Sequence, residues 1–252
     1  MKVRKAVSVE DIGIQLQDWE RCAHWTYDCL SLPTPRKVES RTAVNFPSKG
    51  LYAITNGPRA DLHAAVAAAI AGGARVVQYR DKTLDPIRRH EEASSLARLC
   101  ADSKIPFIIN DDARLALDCG ADGVHLGADD IDLRAARSLL GDSALIGVSC
   151  YDSIERAREA VAEGANYVAF GAFYATGTKP LARRANRNLL SEARELPIPK
   201  VAIGGITPEN AGALIQSGAD LIAVVSSLFS ANDISACARR FSRLFPTAKS
   251  NP

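Results

Sequence analysis

The chain has 252 residues, 47% hydrophobic and 24% charged, with 31 Lys and Arg against 29 Asp and Glu for a net charge of +2. These values exclude disordered, collagen-like and disulfide-scaffold classes. The near-neutral balance gives no field for nucleic acid or a membrane surface, and no apolar run reaches the ~18–20 residues of a membrane span.

The first thirty residues lack a basic start, an apolar block and a small-residue cleavage site, so no secretory signal is read. The six cysteines, at 22, 29, 100, 119, 150 and 237, form no CxxC pair. Reduced thiols and a cytoplasmic location are expected. Residues 1–49 hold Trp19 and Trp25, Cys22 and Cys29, and Pro33, Pro35 and Pro47. They also hold eight Lys and Arg against six Asp and Glu, leaving 23 of each sign in the rest. Ser8 to Trp19 has the pattern of a short helix, which Gly13 weakens. So few residues rarely make a core, so a flexible or loosely docked extension is expected rather than a second domain. A start codon chosen too far upstream would also produce it, and removal of residues 1–48 is expected to leave activity intact.

From residue 50 onward, short apolar runs alternate with helical patterns. The runs are Leu51–Thr55, Arg75–Arg80, Pro106–Asn110, Gly123–Leu126, Leu145–Ser149, Tyr167–Gly171, Lys200–Gly204 and Leu221–Ser226. They are nearly continuous in hydrophobicity, as parallel strands covered on both faces require. Leu62, Val66 and Ile70 mark the stripe of the first helix, and Ile234, Cys237, Phe241, Leu244 and Phe245 that of the last. Gly73-Ala74, Gly120-Ala121, Gly164-Ala165 and Gly218-Ala219 introduce strands two, four, six and eight, at intervals of 47, 44 and 54 residues. Glycine suits the left-handed position that ends a helix. Eight such units over residues 50–245 predict a closed (β/α)8 TIM barrel, with residues 246–252 as a tail. An open doubly wound sheet is the alternative.

The active site of such a barrel lies at the C-terminal ends of its strands. At the exit of strand two, Gln78, Arg80 and Lys82 share one face. They would meet an anionic or polar ligand, or form a solvated rim. Strand three ends Asn110-Asp111-Asp112, and Asp129-Asp130 follows strand four. Carboxylates without matching His or Cys suit a hard cation, and Mg2+ shared with substrate phosphates is the natural candidate. Asp112 and Asp129 also read as helix caps.

Ser149 ends strand five at a site position. Cys150 reads as a small filler, because no activating base accompanies it. Thr176, Gly177, Thr178 and Lys179 make an anion contact or a plain polar loop. Gly204-Gly205 ends strand seven before Thr207-Pro208-Glu209, read as a helix start. Val225 and Ser226 end strand eight. Backbone amides after strands seven and eight form the phosphate site of many such barrels. His125 lies within strand four and reads as packing or exposed, as do His24, His63 and His90.

Seven segments occur in order: QYRDK at 78–82, NDD at 110–112, GVHLGADD at 123–130, GVS at 147–149, TGTK at 176–179, IGGI at 203–206 and VVSS at 224–227. Together they resemble the thiamine-phosphate synthase family over residues 50 to about 245. The resemblance implies a transferase that joins a hydroxymethylpyrimidine diphosphate to a thiazole phosphate, with Mg2+ on the diphosphate. It implies Asp111 and Asp130 as metal ligands. Gln78, Arg80, Lys82, Asn110, Ser149 and Lys179 would hold the pyrimidine diphosphate, and Thr176 and Thr178 would contact the thiazole phosphate. Gly205, Val225 and Ser226 would offer amides to its phosphate. Catalysis would rest on Arg80, Lys82, Ser149 and Lys179. The chain departs from the family pattern at Ala175, usually proline, and at Pro180, commonly polar. A thiazole tautomerase, an isomerase on the same barrel, and a non-catalytic thiamine-phosphate binding protein are the alternatives. The expected partners are small-molecule substrates, with no nucleic acid and no membrane; self-association into a homo-oligomer is compatible with the sequence.

Overall fold

The computed structural model describes residues 44–175 and 184–245. The readings placed on residues 1–43, 176–183 and 246–252 lie outside them. Eight parallel strands close into a barrel in sequence order. They are β1 (Gly50–Ile54), β2 (Ala74–Tyr79), β3 (Phe107–Asn110), β4 (Gly123–Leu126), β5 (Leu145–Tyr151), β6 (Tyr167–Phe170), β7 (Lys200–Ile203) and β8 (Leu221–Val224). Each lies within two residues of a run read from the sequence. Pairing of β1 with β8, Gly50 to Leu221 through Ala53 to Val224, closes the ring and excludes the open sheet.

Among the described residues nine α-helices pack outside: α1 (Leu62–Ala71), α2 (Pro86–Asp102), α3 (Ala113–Cys119), α4 (Leu133–Leu140), α5 (Ile154–Ala162), α6 (Asn188–Glu192), α7 (Ala211–Ser217), α8 (Ser226–Phe229) and α9 (Ile234–Ser242). Gly73, Gly120, Gly164 and Gly218 all have positive φ. After three of them the alanine N–H reaches back five residues, as Ala121 does to the Ala116 carbonyl at 2.9 Å, which closes the helix end.

Strand alternation divides the core in two. Val77 and Tyr79 of β2 join the layer between sheet and helices. Val76 joins Tyr52, Ile54, Ile108, Tyr167 and Leu221 inside the barrel. Phe46, ahead of β1, packs on this inner cluster and stacks on Tyr167 with ring centroids 4.0 Å apart. Contact with the barrel therefore begins before residue 50. No helix among the described residues is long and apolar enough to cross a membrane.

Candidate active site

Thr55 directly follows β1 and is fully buried. Its hydroxyl accepts the Arg80 N–H at 2.8 Å and donates to the Arg80 carbonyl at 3.1 Å. This clasp fixes the backbone where β1 and β2 part. Beyond it side chains still alternate. Asp81 turns outward, ion-paired with Arg88 at 2.6 Å and accepting the Thr83 N–H at 2.8 Å. Tyr79 donates to Glu92 at 2.7 Å on the same side. Arg80 and Lys82 are left facing the mouth. Among the described residues no carboxylate pairs with the Arg80 guanidinium.

Lys82 instead meets the Asp111 carboxylate. Asp111 follows β3 with φ of 65°, a conformation uncommon for a residue with a side chain. Its N–H holds the His125 carbonyl at 2.8 Å, which pins the turn. Asp111 and Asp130 lie within hydrogen-bonding reach of one another. Burial pushes the Asp111 carboxyl up, but Lys82 and Asp130 outweigh it and hold it below the usual range. Asp130 is raised, by burial and then by Asp111, against the 2.6 Å bond from the Gly127 N–H. Two carboxylates crowded beside one ammonium form an oxygen-only donor set, which fits a hard divalent cation. A cleft of about 440 Å³ opens beside them, lined by Lys82, Asn110 and Asp111 with Thr83, Leu84 and Ile131.

A second group lies deeper. Gln78 is buried inside the barrel and donates its amide N–H to the Tyr52 hydroxyl at 2.9 Å. That hydroxyl is 2.8 Å from Tyr167, Tyr167 is 3.1 Å from His125 Nδ1, and His125 Nε2 is 2.9 Å from Ser149 Oγ. The sequence reads His125 as packing or exposed; it is buried and bonded to Ser149, a predicted site residue. The signal was its place between buried Val124 and Leu126, which puts it on the face of β4 opposite theirs. Cys150 is fully buried, and burial pushes its thiol up to about 12.

The third group follows β7 and β8. Gly205 has φ of 62°, and a Cβ there would come within 2.2 Å of the Ala175 carbonyl oxygen. Asn210 donates to the Gly205 carbonyl at 3.1 Å, and Ser227 to that of Ile206 at 2.5 Å, which ties the two loops together. The sequence ends strand eight with Val225 and Ser226; instead β8 stops at Val224, Val225 follows it and Ser226 opens α8. The expected helix at Thr207 starts instead at Ala211. Residues 207–210 form a turn closed by the Asn210 side chain on the Thr207 N–H, because proline and the cap bonds favour a turn before the helix. Asp112 caps α3, but α4 is capped by Asp132 rather than Asp129. Thr176, Thr178 and Lys179 lie outside the described residues.

A model of thiamine monophosphate synthase matches residues 51–228. The chain belongs to the thiamine monophosphate synthase family. A thiamine-phosphate synthase of Methylococcus capsulatus is 53% identical over 203 residues, 79% of this chain and 91% of its own. One of Thiobacillus denitrificans is 52% identical over 203 residues, 79% of this chain and 96% of its own. The solved thiamine phosphate pyrophosphorylase of Pyrococcus furiosus superposes with a TM-score of 0.71 at 31% identity, over 78% of this chain and 95% of that one. The activity is that of a transferase of thiamine biosynthesis. These relatives leave the isomerase and binding-protein alternatives without support.

Proposed function

We propose that this barrel condenses a hydroxymethylpyrimidine diphosphate with a thiazole phosphate, giving thiamine phosphate and diphosphate. The observation that carries the reading is the grouping of Asp111, Asp130 and Lys82 at one mouth. In the reaction the methylene–oxygen bond breaks and its electron pair leaves with the diphosphate. The pyrimidine methyl cation that remains is captured by the lone pair of the thiazole nitrogen.

Negative charge grows on the diphosphate oxygens as the bond breaks. Arg80 and Lys82, with Lys179, would therefore stabilise the transition state more than the ground state. Asp111 and Asp130 would hold Mg2+, which when bound supplies further positive charge to the diphosphate. Gln78, Asn110 and Ser149 would orient the pyrimidine half. Thr176 and Thr178 would contact the thiazole phosphate, with backbone amides of Gly205, Val225 and Ser226 on its phosphate. No general base is needed to form the carbon–nitrogen bond. Cys100, Cys119, Cys150 and Cys237 form no disulfide among the described residues, which fits a reducing, cytoplasmic setting.

The test is to give purified protein both phosphorylated halves with Mg2+ and to follow thiamine phosphate by mass spectrometry. Product is expected only when both halves are present. Its absence with authenticated substrates would overturn the reading. Calorimetry on Lys82→Ala should show pyrimidine diphosphate weakened far more than thiazole phosphate, and equal weakening would contradict the role given to Lys82.

A further inference from the structure

The buried chain from Gln78 to Ser149 joins five strands through the barrel interior. Tyr52 and Tyr167 are at most 1% exposed, and burial raises both phenols above their ordinary value, so each is a neutral hydroxyl with one hydrogen to give. With the Gln78 amide N–H donating to Tyr52, only one order gives every hydroxyl hydrogen of the chain an acceptor. In that order Tyr52 gives its hydrogen to Tyr167 across 2.8 Å, and Tyr167 gives its own to His125 Nδ1 across 3.1 Å. His125 is then a neutral imidazole protonated on Nε2, which donates to Ser149 Oγ. The reverse order would have Tyr52 accept from both neighbours and leave its own buried hydrogen without an acceptor in the chain, since the amide nitrogen cannot accept it.

Position makes the chain possible. His125 pairs with Gly147, and Gly147 with Tyr167, at one level of neighbouring strands. A Cβ on Gly147 would lie 2.0 Å from the Tyr167 ring. The bare glycine lets the phenol reach the imidazole across an intervening strand. Phe46 stacks on the Tyr167 ring, with centroids 4.0 Å apart.

We infer that Tyr52 and Tyr167 are positioning residues for the pyrimidine half of the reaction. Through one hydrogen-bonded chain they fix the Gln78 amide, the His125 tautomer and the Ser149 hydroxyl. The mouth then meets the pyrimidine with an amide oxygen from Gln78 as acceptor and with the Ser149 hydrogen, which the chain does not use, as donor. A ring bearing an amino donor beside a nitrogen acceptor matches that pair. The inference rests on the proposed binding of the pyrimidine at Gln78 and Ser149.

Two measurements on the full-length protein test it. Nitrogen-15 spectra of histidine-labelled protein, with His125→Gln used only to assign the peak, should show His125 protonated on Nε2 and bare on Nδ1. Protonation on Nδ1 would overturn the inference, whatever the enzyme turns over. In steady state, Tyr167→Phe should lower kcat/KM for the pyrimidine diphosphate by about tenfold or more and release the fixed tautomer. KM for the thiazole phosphate should stay within about twofold. Unchanged kinetics, or equal loss toward both substrates, would overturn it. If Tyr167→Phe does not fold, Tyr52→Phe, which breaks the chain one bond earlier, must show the same selective loss. If the unaltered protein makes no thiamine phosphate, the proposed function fails and the spectra alone decide the tautomer.

Discussion

Asp81 and Lys82 are adjacent in sequence and do opposite work, because a strand exit sends neighbours to opposite sides. The Asp81 side chain is fully buried against Arg88. Burial pushes its carboxyl up from 3.8, but the Thr83 N–H and Arg88 outweigh that and hold it lower. A carboxylate depressed on folding contributes stability above its unfolded pKa and loses it as pH falls through the folded value. Asp81→Asn should therefore cost about 2 kcal/mol near neutral pH, and the gap from the unaltered protein should close below about pH 4. Urea unfolding across that range measures it, and a gap constant with pH would contradict the ion pair's role. The alternation that separates Asp81 from Lys82 was legible in the sequence, and so were Gln78 and Arg80. Tyr52 and Tyr167 were not, since their hydroxyls meet only once β1 and β6 face each other across a closed barrel. Thr55 carries no sequence signal because its clasp on Arg80 is a bond to backbone, which leaves no pattern in residue type.

At the scale of elements, caps decide where helices begin and so which acids are free for the site. Asp132 accepts the Ala135 N–H at 2.7 Å, leaving Asp129 outside α4. Asp132→Ala should cost about 1 kcal/mol, and Asp129→Ala close to nothing. Thermal melts of the pair check this, and equal losses would restore Asp129 as the cap. Gly147 is the corresponding constraint within a strand. Gly147→Ala places a methyl in the Tyr167 ring, and overpacking of that kind should lower stability by about 1–3 kcal/mol. A melt unchanged from the unaltered protein would show that the ring moves freely. All eight strands were readable because parallel strands buried on both faces give apolar runs. Helix starts were less so: Thr207-Pro208 carries a start signal that a side-chain-closed turn uses instead.

For the molecule as a whole, the question is where the working unit begins. A boundary at residue 49 follows from motif positions, yet Phe46 packs on Tyr52 and Tyr167 beneath the inner core. We propose that residues from Phe46 onward belong to the barrel. Removal of residues 1–43 should leave the melting temperature unchanged. Removal of residues 1–48 takes Phe46 away and should lower stability by about 2 kcal/mol, or roughly 4–8 °C. Equal melting temperatures for the two truncations would return the boundary to residue 49.

We propose that Asp111 and Asp130 form a divalent-cation site that diphosphate departure requires. The direct measurement is initial rate of thiamine phosphate formation against Mg2+ after EDTA treatment, for the unaltered chain and Asp111→Asn. The unaltered chain should be inactive without metal and recover fully on titration. Asp111→Asn should fold normally yet stay about a hundredfold or more slower at saturating Mg2+. Full turnover in EDTA, or an Asp111→Asn rate equal to that of the unaltered chain, would contradict the account.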